Sequence, residues 1–144
     1  MKKLLSILLL LPVLLSAQRI DSTLSEERFG NITGKFYKTT EAGVTNYYLV
    51  CSFKNAKYEY ISDFAMIFIT NQEATDSLAA DLESAIKYFE TKTTARYDRR
   101  EYKIVHYDFA PGMMYIMDRD DKYTTMNKGH AEKWLAWLKT IKFP

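Results

Sequence analysis

Hydrophobic positions are densest in residues 57–90, and this stretch predicts the centre of the fold. Its segment 64–69 (FAMIFI) is apolar at every position. A run this short, rich in β-branched and aromatic residues, predicts a strand that is buried on both faces rather than a helix.

An amphipathic helix is predicted directly after this strand. Thr70 and Glu73 fit the S/T-x-x-E capping box, with Asn71 or Thr75 as alternative caps. Apolar residues then recur at helical spacing on one face: Ala74, Leu78, Leu82, Ala85, Ile86 and Phe89. The opposite face is expected in solvent, with Asp76, Asp81, Glu83 and Lys87.

Weaker patterns predict the remaining elements. Strands are expected at residues 32–37, 47–53, 101–109, 113–117 and 122–126. Residues 54–57 form a tight connection, so the strands on either side of it are expected to pair as an antiparallel hairpin. A second helix is expected after a cap at Asn127, with a buried face of Trp134, Trp137, Leu138 and Ile141.

The order of these elements, β-β-β-α-β-β-β-α, predicts a single α+β domain. We expect an antiparallel sheet of about five or six strands with two helices packed on one face. Residues 18–30 predict a flexible lead-in or a short helix, and residues 91–100 predict a polar loop. Each half contains a hairpin followed by an amphipathic helix, which is compatible with a structural duplication.

The amino terminus predicts a secretory signal peptide at residues 1–17. Lys2 and Lys3 precede an apolar segment of about a dozen residues, and Ala17 provides a small residue for cleavage before Gln18. A membrane-spanning helix would need about 20 apolar residues. We therefore expect residues 18–144 to form an exported soluble domain, periplasmic or extracellular, without membrane insertion.

The charge balance changes when this segment is removed. The whole chain has 20 basic and 18 acidic residues, a net charge of +2. Loss of Lys2 and Lys3 leaves equal numbers of both signs, and residues 96–103 also mix acids with bases. The chain therefore lacks the basic surface expected of a protein with a nucleic-acid partner.

Cys51 is the single cysteine, so an intramolecular disulfide is impossible and packing must stabilise the exported chain. It lies in the middle of a predicted strand, on an apolar face and without a neighbouring base. These surroundings predict a buried structural thiol rather than a nucleophile.

His106 and Asp108 are the best candidates for chemistry. They are two residues apart on a predicted strand, so their side chains are expected on one face. Such a pair suits general base catalysis or metal binding, although the other histidine, His130, lies far along the chain. The alternative is a pair of surface polar residues near the end of a strand.

Other candidate sites have simpler interpretations. Asp118, Asp120 and Asp121 lack the spacing, central glycine and closing glutamate of a calcium loop, and predict a solvated hairpin turn. Trp134 and Trp137 predict core packing rather than a ligand site. The chain has no G-x-S-x-G, H-E-x-x-H, P-loop or dinucleotide fingerprint, so the sequence weighs against an enzyme and indicates no cofactor or metal.

Two segments resemble small uncharacterised exported proteins of Bacteroidota-type bacteria. They are the signal peptide ending at Ser16-Ala17-Gln18 and the pattern F-x-N-x-x-Y-x-x-I-x-D from Phe53 to Asp63. The resemblance covers mainly the signal and the central hairpin. It implies export and carries no assigned activity.

The leading hypothesis is a non-enzymatic exported domain that binds a protein or a small ligand through a sheet face or an exposed edge. If helices cover one side of the sheet, tyrosines gather on the other: Tyr48, Tyr58, Tyr107 and Tyr115. The binding surface is expected to include His106, Tyr107, Asp108 and Tyr115. The alternatives are a small hydrolase or metal-dependent enzyme using His106 and Asp108, and a structural or assembly component of the cell envelope.

Overall fold

The computed structural model describes residues 19–57, 63–91 and 93–144. The predicted signal peptide and Tyr58 lie outside these ranges. The strands are β1 (Ile20–Phe29), β2 (Ile32–Glu41), β3 (Val44–Lys54), β4 (Phe64–Ile69), β5 (Ala95–Asp98), β6 (Tyr102–His106), β7 (Met114–Asp118) and β8 (Tyr123–Met126). The helices are α1 (Gln72–Ile86), followed by a 3-10 turn (Lys87–Glu90), and α2 (Lys128–Leu138).

The strands form two antiparallel sheets, so the α+β class is confirmed and the single sheet of five or six strands is wrong. The first sheet has the order β1-β2-β3-β4 and the second has the order β5-β6-β7-β8. Strands β1 and β5 lie in segments predicted as a lead-in and a polar loop. Both are edge strands, whose exposed polar residues hide the alternation that marks a half-buried strand.

Strand β4 is buried on one face, which corrects the prediction of burial on both. Ala65, Ile67 and Ile69 are at most 2% exposed on the inner face. On the outer face Phe64 is 65% exposed, and Met66 is 60% exposed. The helices pack only against the inner faces of the sheets, so the outer side chains of β4 meet solvent. The predicted antiparallel pairing of β3 with β4 is confirmed. The tight connection predicted at residues 54–57 is wrong, because Lys54 pairs with Phe64.

One core joins both sheets to both helices. Leu78, Leu82 and Ala85 of α1 are buried in it, as predicted. The predicted buried face of α2 is confirmed at Trp134, Trp137, Leu138 and Ile141. Asp81 is an exception to the predicted helix pattern, because it is 5% exposed instead of facing solvent. Neither helix of the described ranges is long and apolar enough to cross a membrane.

Asparagine side chains begin both helices. Asn71 Oδ1 accepts a hydrogen bond from the backbone N–H of Ala74 at 2.8 Å, so the alternative cap is observed and the Thr70 capping box is not. Asn127 Oδ1 accepts from the backbone N–H of His130 at 2.9 Å, which confirms the predicted start of α2. The Asn71 cap fixes where α1 begins after β4.

Candidate binding site

His106 and Asp108 do not form a pair. The His106 side chain is completely buried, packs edge-on against Phe89 at 5.4 Å between ring centroids, and has no hydrogen-bond partner for either ring nitrogen among the described residues. Strand β6 ends at His106, so the two-residue period does not extend to Asp108, which is exposed. This geometry gives no support to catalysis by the pair, and the surface position considered for His106 is wrong as well.

Tyr107 and Tyr115 do come together on the outer face of the second sheet. Their rings meet edge-on with centroids 5.1 Å apart. Phe109, 74% exposed, stacks on Tyr107, and Tyr123 lies on the other side of Tyr115. The rings form a continuous row, but most of them are half-buried against one another.

Cys51 is buried, as predicted. Burial raises the pKa of its thiol to about 12, and a contact with the Trp134 indole acts in the opposite direction. The thiol is therefore protonated at neutral pH and unsuited to nucleophilic attack.

Asp118 builds the predicted turn between β7 and β8, but its side chain is buried rather than solvated. Its Oδ1 accepts hydrogen bonds from the backbone N–H groups of Asp120 at 2.9 Å and Lys122 at 3.0 Å. Asp121 adopts a positive φ of 61° in this turn. In the part of the chain that the structure describes, no cluster of three or more histidine, cysteine or acidic residues is arranged to hold a metal ion.

A contiguous row of exposed apolar side chains lies on β4 instead. Phe64, Met66 and Phe68 form a row along its outer face, and Phe68 is 44% exposed. Tyr48 of β3 stacks on Phe68 with centroids 5.1 Å apart, and Tyr37 of β2 lies 5.4 Å from Tyr48. The row therefore continues into the first sheet as an apolar and aromatic surface, which we call the β4 face.

A groove of about 540 Å³ runs along this face. Phe64, Met66 and Phe68 form one wall. The other wall is charged and consists of the β5–β6 turn, with Arg100 and Glu101, and the β7–β8 turn, with residues 118–120 and Lys122. A wider hollow of about 680 Å³ adjoins Phe64 on the outer side of β2 and β3, and its lining is mostly polar. The groove therefore places an apolar surface opposite charges of both signs.

The β7–β8 turn is held in place by a polar joint around Asn55. The Asn55 side chain donates to Asp63 Oδ2 at 3.0 Å, and Lys122 Nζ donates to Asp63 Oδ1 at 2.7 Å. The backbone N–H of Ala56 also donates to the carbonyl oxygen of Tyr123 at 2.7 Å. The hydrogen bonds from Asn55 and Lys122 lower the pKa of Asp63. The joint connects the start of β4 to the charged wall.

The β5–β6 turn is held by a second joint, on α1. Asp81 accepts two hydrogen bonds from the Arg99 guanidinium, at 2.7 and 2.8 Å, and one from the Tyr102 hydroxyl at 2.9 Å. The bidentate bond from Arg99 holds the pKa of Asp81 below its usual range. Arg100 is thereby fixed next to the groove.

No protein-family model, curated protein or solved structure matches the chain.

The apolar pattern of segment 64–69 predicts the strand but does not show that one of its faces is open. A hydrophobic run has the same appearance whether its second face is covered or open. Within the described ranges β4 pairs with β3 alone, and the run itself carries no signal of this edge position. The charged wall had no local signal, because it depends on contacts between residues far apart in the chain.

Proposed function

We propose that this chain is a non-enzymatic binding domain that holds a protein or a small ligand against the β4 face. The observation that carries the proposal is the row of Phe64, Met66 and Phe68, which are 65%, 60% and 44% exposed beside a groove. Large apolar side chains in a contiguous exposed row mark interaction surfaces, because their burial by a ligand is favourable.

We also propose that the domain acts after export, in the periplasm or outside the cell. The support is the pattern of residues 1–17, with its basic start, apolar middle and small residue before Gln18. Fractionation of cells that produce the chain, with the mass of the mature protein, tests this. A mature chain that starts at Gln18 in the exported fraction is expected, and an intact chain in the cytoplasm would contradict it.

Binding to the β4 face is tested with a double variant, Met66→Thr with Phe68→Thr. Threonine suits an exposed strand, so the fold is expected to persist. Phe109→Thr is the matched control, since it removes an aromatic side chain that is more exposed but lies outside the groove. All three proteins are screened by thermal shift against small molecules and by affinity capture from periplasmic extract.

We expect a ligand whose affinity falls at least about tenfold in the double variant, because burial of each side chain is worth roughly 1.5–3 kcal/mol. The same ligand should bind the Phe109→Thr protein as it binds the parent. Ligands that bind the double variant and the parent equally would place the binding surface elsewhere. Capture of envelope components alone would favour the assembly role.

A further inference from the structure

The hydrogen-bond pattern between β3 and β4 determines which backbone groups of β4 are free. The backbone N–H of Asn55 donates to the carbonyl oxygen of Asp63 at 2.7 Å, so these residues are a hydrogen-bonded pair. Hydrogen-bonded and non-hydrogen-bonded pairs alternate along an antiparallel ladder. Phe64, one residue further, is therefore non-hydrogen-bonded, and so are Met66 and Phe68. Their N–H and C=O groups point away from β3.

A side chain of the charged wall supports this alternation of hydrogen-bonded and non-hydrogen-bonded pairs. Lys122 Nζ donates to the carbonyl oxygen of Phe64 at 3.3 Å, from the side of the groove. Within the described ranges β4 pairs with β3 alone. The N–H and C=O groups of Met66 and Phe68 are thus presented to the groove by the same residues whose side chains form its apolar wall.

We propose that the occupant of this groove is an extended polypeptide segment that adds to the first sheet as a fifth strand beside β4. The inference rests on the proposed function of the β4 face and names its ligand class. An added strand would pair with the free backbone groups of Met66 and Phe68. Every second side chain of that strand would lie next to the apolar row, because strands have a period of two. The six residues of β4 span roughly 20 Å, which sets the length of the segment.

The opposite edge of the first sheet is protected against such pairing, and the edge at β4 is not. Strand β1 has a register irregularity between Thr23 and Ser25 and carries exposed charges at residues 26–28. Bulges and charges are the usual means of blocking an edge strand. Strand β4 is regular in its pairing with β3 and contains no charged residue.

The charged wall favours a single segment over a second copy of the chain. The groove lies between β4 and two turns of the same molecule, and the β4 of another copy would bring its own turns into the same space. Arg100 and Glu101 also line a hollow beside Asn71, at the end of β4 that leads into α1. Lys122 lies at the opposite end, on Phe64. An apolar centre with charged ends is therefore the complementary peptide.

A displayed library of random nine-residue segments provides the probe. We expect it to enrich segments with apolar residues at alternate positions and charged residues at the ends. One enriched peptide is then synthesised in two forms, N-methylated at odd or at even positions. One form loses the N–H groups that face β4 and should bind at least about tenfold more weakly, while the other should bind as the parent peptide does.

Backbone hydrogen exchange gives the second measurement. Saturating peptide is expected to slow exchange at the Met66 and Phe68 amides at least about tenfold, and to leave the Ile67 amide unchanged because it is already paired with β3. Strand addition is wrong if both methylated forms bind equally. It is also wrong if peptides and other β4-face ligands leave the Met66 and Phe68 amides unprotected. In either case the proposed binding domain is not contradicted. If a dimer protects these amides in the absence of peptide, the occupant of the groove is a second copy of the chain and not a peptide segment. If no peptide, small molecule or protein depends on Met66 and Phe68, both proposals fail.

Discussion

The first sheet, β1–β4, and the second sheet, β5–β8, share a four-stranded antiparallel order but differ in strand length. Three strands of the first sheet have ten or eleven residues, whereas no strand of the second exceeds five. Short strands bury few side chains and are marginal alone. The second sheet therefore depends more on α1 and on polar joints, which explains why Asp81–Arg99–Tyr102 and Asn55–Asp63–Lys122 both lie at its turns.

The outer faces of the two sheets also differ, in how far their apolar side chains are exposed. The rings of the second sheet cover one another, from Phe109 through Tyr107 and Tyr115 to Tyr123. On the first sheet, Phe64 and Met66 project from an edge strand into a groove. The same strand order thus gives a long sheet that carries the β4 face and a short sheet whose turns form the charged wall beside it.

Leu82→Asp should have the largest effect and tests whether the halves are separate units. Leu82 is completely buried in the core shared by both sheets. An unpaired buried charge there should lower the free energy of unfolding by roughly 4 kcal/mol or more. The loss should appear in both sheets at once by hydrogen exchange. Ala80→Asp, on the exposed side of α1, is the matched control. Survival of one sheet in Leu82→Asp would show that the halves fold independently.

Gly34→Ala tests the packing of the first sheet on α2. A Cβ at this position would lie 2.5 Å from a ring carbon of Trp137, which is itself held by a hydrogen bond from its Nε1 to Ser25 Oγ. We expect a loss of about 1–3 kcal/mol by chemical denaturation. The control Gly129→Ala, in α2, meets only one atom at 3.7 Å and should gain about 0.5–1 kcal/mol. Equal stability of Gly34→Ala and the parent would contradict close packing at this point.

Asp81→Asn tests the joint of the second sheet through pH. Because Arg99 lowers the pKa of Asp81 in the folded state, the carboxylate stabilises the fold above its unfolded pKa of about 4. This stabilisation is lost as pH falls through the lowered folded value. We expect the variant to be less stable by about 1–2 kcal/mol at pH 7, with the difference shrinking in acid.

Denaturation at pH 7 and below pH 4 measures this difference. The control is Asp98→Asn, whose ion pair with Arg96 is half exposed on both sides and should contribute less than about 1 kcal/mol. A difference for Asp81→Asn that does not change with pH would contradict an ionised joint.

His106→Leu should have the smallest effect, with the opposite sign. Both ring nitrogens of His106 are buried without a partner in the described part of the chain, which costs free energy in the folded state. A leucine of similar size avoids this cost, so we expect a gain of up to about 1 kcal/mol at neutral pH in a thermal or chemical melt. A loss of more than that amount would reveal a partner for the imidazole.

The elements with strong local patterns were predictable from the sequence. The helical spacing of Leu78, Leu82 and Ala85 and the strand alternation around Cys51 depend on periodicity, and the structure has both. Strands β1 and β5 were missed because edge positions carry polar residues on their exposed sides. A duplication of the two halves stays a prediction, although both contain four strands and a helix.

The candidate site was less predictable. Tyr107 and Tyr115 share a face because both flank one hairpin, which is local information. Burial of His106 and Asp81 depends on which elements lie above them, and polar residues in a periodic pattern are normally exposed. Whether Phe64 and Met66 face a groove depends on turns more than 30 residues away, so no window of sequence contains the answer.

The position of Cys51 has a consequence for handling the protein. Any chain with one thiol risks joining to another chain, or to glutathione, wherever oxidants are present. Here the Cys51 sulfur is buried next to Trp134 and carries its proton at physiological pH. The folded molecule therefore behaves chemically as if it had no cysteine. Such a protein should need no isomerase to mature, and a thiol-reactive label should enter only after the chain unfolds.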